Sequence, residues 1–151
     1  MTETYDDQLR CLREEIQHHG ARPTVIDSVL SKLLAHSCDW VSRDLLMLLS
    51  DEAEHDEGMF SLIHAAEYMH DEQYILSFLS MFSTITKSSP RWTLIVMMRI
   101  LNSRPTRLEL IAQLRNASKS VKTEVDAVCR RIVDIDPQFL AKTISVTLAT
   151  R

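Results

Sequence analysis

DEQYILSFLSMFSTI, residues 71–85, decides the fold class. Tyr74, Phe78 and Phe82 recur every fourth position, with Ile75, Leu79 and Ile85 beside them. A spacing of i, i+4, i+8 lays side chains along one face of a helix but scatters them over both faces of a strand. The stretch therefore predicts a long amphipathic helix, with Asp71 as its N-cap.

The same 3.6-residue period continues in both directions. Towards the N-terminus, Leu9, Leu12 and Ile16 form one stripe, closed by Gly20 in a left-handed conformation. Pro23 suits the first turn of a second helix bearing Val25, Ile26, Val29, Leu30, Leu33 and Leu34. A third starts near Asp39 and carries Trp40, Val41, Leu45, Leu46, Leu48 and Leu49, and a fourth carries Phe60, Leu62, Ile63 and Ala66. Towards the C-terminus, Ser89-Pro90 opens a helix whose LIVMM segment is apolar nearly all round, which predicts a covered position. Thr106 with Glu109 matches a capping box ahead of Leu108, Leu110, Ile111 and Leu114. Ser118 caps a helix of Val121, Val125, Val128 and Ile132, and Asp136-Pro137 begins the last, with Phe139, Leu140, Ile144 and Leu148. The expectation is an all-α chain of about nine helices, an irregular stack of antiparallel αα-hairpins of HEAT-like kind rather than a closed bundle. Connections are short, so consecutive helices are expected to pack on one another.

Composition agrees. Two glycines and four prolines in 151 residues leave few hairpin turns, and 45% hydrophobic content in this length suits one domain over residues 1–151. The opening MTETYDDQLR is polar and acidic, unlike a secretory signal. The longest apolar run, WTLIVMM (92–98), ends at Arg99, far short of the roughly 20 residues a membrane span needs. Cys11, Cys38 and Cys129 are odd in number and widely spaced, which fits free thiols in a reducing cytosol.

The net charge of −4 hides a strong asymmetry. Residues 1–72 hold 16 Asp and Glu against 5 Lys and Arg, whereas residues 73–151 hold 5 against 12. Within the acidic half, SDEAEHDEG (50–58) packs five carboxylates into seven positions. Their mutual repulsion weakens the fold slightly, so the stretch is either a solvated corner or a surface for something basic.

Several chemistries are excluded or weak. His64, Glu67 and His70 in HAAEYMH put the imidazoles six residues apart, about 240° round a helix, so one metal ion cannot easily take both. No window near Asp51 has the ligand spacing of a calcium loop. Gly20 and Gly58 are the only glycines, which excludes phosphate-cradling loops and serine elbows. No cofactor is expected. Arg13 and His18 share the R-x4-H spacing of certain helical ribonucleases, but they lie on an acidic helix that repels RNA. Arg104, Arg107, Arg115, Lys119, Lys122, Arg130 and Arg131 could line a basic side, yet no recognition motif or interleaved aromatics accompany them. A helical adaptor binding another protein or nucleic acid is the alternative reading.

DEQYILSFL (71–79) followed by SSPRWTLIVMMRILNS (88–103) resembles the bacterial immunity proteins of polymorphic toxin and contact-dependent growth inhibition systems. There, an acidic helix start with a Tyr precedes a Pro-x-Trp and an apolar run closing in Arg-Ile-Leu-Asn. The likeness spans residues 61–114, about a third of the chain. It implies a non-catalytic cytosolic inhibitor of a cognate toxin, a basic, nuclease-type C-terminal domain of a CdiA-like effector, with no membrane or nucleic-acid partner. On that reading Asp51, Glu52, Glu54, Asp56 and Glu57, extended by Asp71 and Glu72, form the partner-binding surface, standing in for substrate phosphates. Trp92, Arg99 and Asn102 read as scaffold, with Arg99 expected to pair with Glu67, Asp71 or Glu72.

Overall fold

Nearly every helix starts where a proline, a capping side chain or an acidic pair allows it. The computed structural model describes residues 2–151, and within them the secondary structure is wholly helical: α1 (Tyr5–His19), α2 (Pro23–Leu33), α3 (Val41–Leu46), α4 (Asp56–Glu67), α5 (Asp71–Ser88), α6 (Pro90–Asn102), α7 (Arg104–Leu114), α8 (Lys119–Ile135), a 3-10 turn (Pro137–Phe139) and α9 (Leu140–Ala149). Thr4 and Asp7 form a reciprocal capping box on α1, with 3.1 Å hydrogen bonds each way. Prolines occupy the first turns of α2, α6 and α7, where a missing N–H costs nothing. Ser118 accepts from the Val121 N–H to cap α8, and Asp136 accepts from the Gln138 N–H.

The chain forms two compact units, one ending at His70 and the other spanning Asp71–Arg151. In the first, α1 packs on α2, α2 on α4 and α3 on α4. Leu12, Ile26, Leu33, Leu45, Met59 and Ile63 are buried there. The Ser42 hydroxyl, fully buried, donates 2.7 Å to the Ala66 carbonyl, satisfying one of the acceptors left open in the last turn of α4.

In the second unit α5 is the hub, packing on α6, α7 and α8. Phe78 and Phe82 meet edge to face at 5.2 Å, and Trp92, Val96 and Met97 of α6 are fully buried, whereas Leu94, Ile95 and Met98 of the same apolar run are only half-buried. Arg99 is only half-buried.

Four local expectations need correction. Asp71 lies inside the first turn of α5, so it acts on the helix dipole and is not the N-cap. Thr106 and Glu109 form no capping box. Because Pro105 lets α7 start at Arg104, the Thr106 hydroxyl donates instead to the Ile100 and Ser103 carbonyls. Of the face assigned to the last helix Phe139 is buried, but Leu140, Ile144 and Leu148 are 54%, 49% and 59% exposed, and Thr143 and Val146 are buried instead. Finally, α7 packs chiefly on α5, α6 and α9, so consecutive helices do not always pair.

Candidate functional site

The acidic stretch is an anchored corner, and its anchor is the α1–α2 turn. Two consecutive residues there, Gly20 and Ala21, take the left-handed conformation, with φ of 74° and 67°. Glycine adopts this freely, but alanine pays a steric penalty of roughly 1 kcal/mol. Something must hold the turn, and Glu15 does. Its side chain is 4% exposed, and it accepts from the Arg22 backbone N–H at 3.0 Å. The Arg22 guanidinium reaches it at 2.6 Å through Nη2 and at 3.2 and 3.1 Å through Nε. These charged hydrogen bonds from Arg22 hold the Glu15 carboxyl below its ordinary pKa.

The corner then leans on this turn. The His55 N–H donates 2.9 Å to the Gly20 carbonyl. A Cβ on Gly20 would come 2.6 Å from the Cβ of Glu54, and a Cβ on Gly58 would collide with the Ala21 carbonyl oxygen. Both glycines in the chain therefore serve one contact, where the acidic segment and the start of α4 close on the turn. Ser50 shapes the entry, accepting from the Glu52 N–H through its hydroxyl and from the Ala53 N–H through its carbonyl, both at 3.2 Å.

The corner presents Glu52, Glu54 and Glu57 exposed, with Asp51 and Asp56 half-buried. Asp56 and Glu57 occupy the first turn of α4, where the helix dipole favours negative charge. Among the described residues, Glu52, Glu54 and Glu57 make no ion pair. Five carboxylates are thus gathered on a pinned backbone, three of them without a cation. Asp71 and Glu72 belong to the second unit, exposed in the first turn of α5, where the Glu72 carbonyl accepts from Gln113 Nε2 at 2.9 Å.

The anchoring residues were not foreseen as part of the site. One signal existed: Gln8 and Glu15 fall on the same face of α1 as Leu12 and Ile16, and a carboxylate on an apolar stripe demands a partner. Ala21 gives no such signal, since nothing in an alanine announces a positive φ.

Arg13 and His18 are both exposed on α1. Among the described residues no three His, Cys, Asp or Glu side chains gather so as to hold a metal ion, and no helix is long and apolar enough to cross a membrane.

A family model, Immunity protein 30, matches residues 11–110. The match runs from α1 into α7 and includes the Glu15–Arg22 clamp, the acidic corner, Asp71 and Glu72. The chain belongs to the Immunity protein 30 family. Neither the curated proteins nor the solved structures include a match to it. Membership implies that the chain binds a cognate toxin and suggests that it neutralises it, and immunity proteins are generally not enzymes.

Proposed function

We propose that this chain acts in the cytosol by occluding a nuclease-type toxin, the basic C-terminal domain of a CdiA-like effector in a contact-dependent growth inhibition or polymorphic toxin system. The acidic corner, Asp51, Glu52, Glu54, Asp56 and Glu57, makes the contact, and Asp71 and Glu72 of the second unit are further toxin-binding residues. The observation that carries this reading is the fixed backbone beneath the exposed carboxylates of Glu52, Glu54 and Glu57. Carboxylates crowded this closely cost stability, and a backbone locked by the Gly20 and Gly58 contacts removes the ordering entropy that a floppy acidic loop would lose on binding. Carboxylates held this way mimic the phosphates a nuclease cleft is built to receive and raise the rate of encounter.

Residues 1–151 act together as one immunity domain; the family match, which continues past residue 70, supports this. Catalysis has no part in the mechanism. The test is co-expression with the C-terminal domain encoded immediately upstream. Co-purification and restored growth are expected, without any turnover of RNA or DNA by the pure chain. A toxin domain that neither binds nor is silenced would overturn the proposal.

A further inference from the structure

Leu76 lies off the stripe that buries α5. Tyr74, Ile75, Phe78 and Phe82 are buried, whereas Leu76 stands 47% exposed. It lines a groove of about 460 Å³ in the second unit, between α5 and the turn that joins α7 to α8, together with Leu79 and Val121. That volume falls in the range of roughly 300–1,000 Å³ common to ligand pockets.

The charge around the groove is one-sided. Among the described residues, Glu72 is the one charged side chain that lines it. Glu109 stands at the same end, because Gln113 Nε2 donates at 2.9 Å both to the Glu72 carbonyl and to the Glu109 carboxylate. Neither Glu72 nor Glu109 makes an ion pair among the described residues, although residues 73–151 hold 12 Lys and Arg against 5 Asp and Glu. Arg115 and Lys119 are exposed beside the turn and do not line the groove.

We propose that the groove takes a short segment of the toxin in which an apolar side chain stands beside a lysine or arginine. This rests on the immunity reading above and adds Leu76, Glu109 and Val121 to the contact made by Glu72. Two carboxylates without cations next to an exposed leucine complement a side chain with an apolar stem and a positive head: the stem lies along Leu76 while the head reaches Glu72 and Glu109. The neighbouring apolar side chain displaces water from Leu79 and Val121. The same carboxylates repel phosphates, so a nucleic acid does not fit. Gln113 ties the first turn of α5 to α7, which sets the wall before binding and spares ordering entropy. The acidic corner speeds encounter, and an apolar contact closed over a charge pair slows release.

Dissociation rates of the complex with the toxin domain encoded immediately upstream test this, with circular dichroism of each variant measured alongside. Leu76→Ser and Glu109→Gln should each speed release several-fold with little change in the association rate. The glutamine keeps an acceptor for Gln113 and removes only charge. Ser80→Arg, which adds a cation to an exposed position in the groove, should do the same. Leu108→Ser, at a leucine 51% exposed outside the groove, should leave release at the wild-type rate. Groove variants that release the toxin as slowly as wild type would overturn the inference in favour of another occupant, such as a second copy of the chain, and leave the acidic corner untouched. An equal loss in Leu108→Ser would also overturn it. A wild-type chain that binds no toxin would instead overturn the immunity reading, and this inference with it.

Discussion

Gly58, in the first turn of α4, lies against Ala21 so closely that any Cβ at Gly58 would strike the Ala21 carbonyl oxygen. The obstacle is backbone and cannot swing aside as a long side chain would. Gly58→Ala should therefore cost about 2–3 kcal/mol, the upper part of the range for an overpacked core. Thermal unfolding checks this: a midpoint within a degree of wild type would show that the corner does not rest on the turn. Gly20→Ala adds a left-handed alanine to a 2.6 Å approach from Glu54 and should also destabilise, by at least about 1 kcal/mol.

Glu15 and Arg22 make stability depend on pH. The Glu15 carboxyl titrates below its ordinary value because Arg22 hydrogen-bonds its charged form. A carboxylate whose pKa falls on folding contributes stability above its unfolded pKa, about 4.3, and loses it as pH drops through the folded value. Glu15→Gln should cost about 1–2 kcal/mol at neutral pH, the lower part of the range for charged hydrogen bonds because Arg22 is half exposed. As the pH falls through the folded value the variant and wild type should converge. A gap that persists or widens in acid would mean that the ion pair is not its source.

Ser42→Ala should destabilise by about 1 kcal/mol, since the Ala66 carbonyl would lose its buried donor. Ser42→Val should cost more, because it also overfills a site with no exposure. Equal stability of all three chains in urea would rule out the Ser42 bond as the link from α3 to α4.

The three thiols should differ in reactivity. Cys11 is exposed, whereas Cys129 is fully buried and its pKa is pushed up to about 12, first by desolvation and then by the charge of Asp126. At pH 8 a thiol reagent should label Cys11 rapidly and Cys129 only on unfolding. Equal labelling of both in the native chain would contradict the packing of α8.

Helix starts were legible because they depend on neighbours in sequence. Pro23, Pro90 and Ser118 act within a turn of themselves, and the expected starts at 23, 90 and 119 are those observed. What failed depends on distant residues. The last turn and α9 have apolar side chains on opposite faces, Leu140, Ile144 and Leu148 against Phe139 and Val146, and periodicity cannot say which face meets α7 and α8. Trp40 likewise matches a helical stripe yet stands 49% exposed under the Arg43 guanidinium, because α3 begins only at Val41. The acidic corner was legible as charge. Its rigidity was not, since it arises where residues 54–58 meet residues 20 and 21, far apart in the chain.

The central claim is that the pinned carboxylates of residues 51–57 capture the toxin. Its most direct measurement is the dissociation constant of the complex for wild type and for the chain carrying Asp51→Asn, Glu52→Gln, Glu54→Gln, Asp56→Asn and Glu57→Gln together. At about 0.5 kcal/mol per carboxylate, affinity should fall roughly 60-fold, and the salt dependence of association should largely disappear, with helicity unchanged. An affinity within a few-fold of wild type in the correctly folded variant would contradict the account.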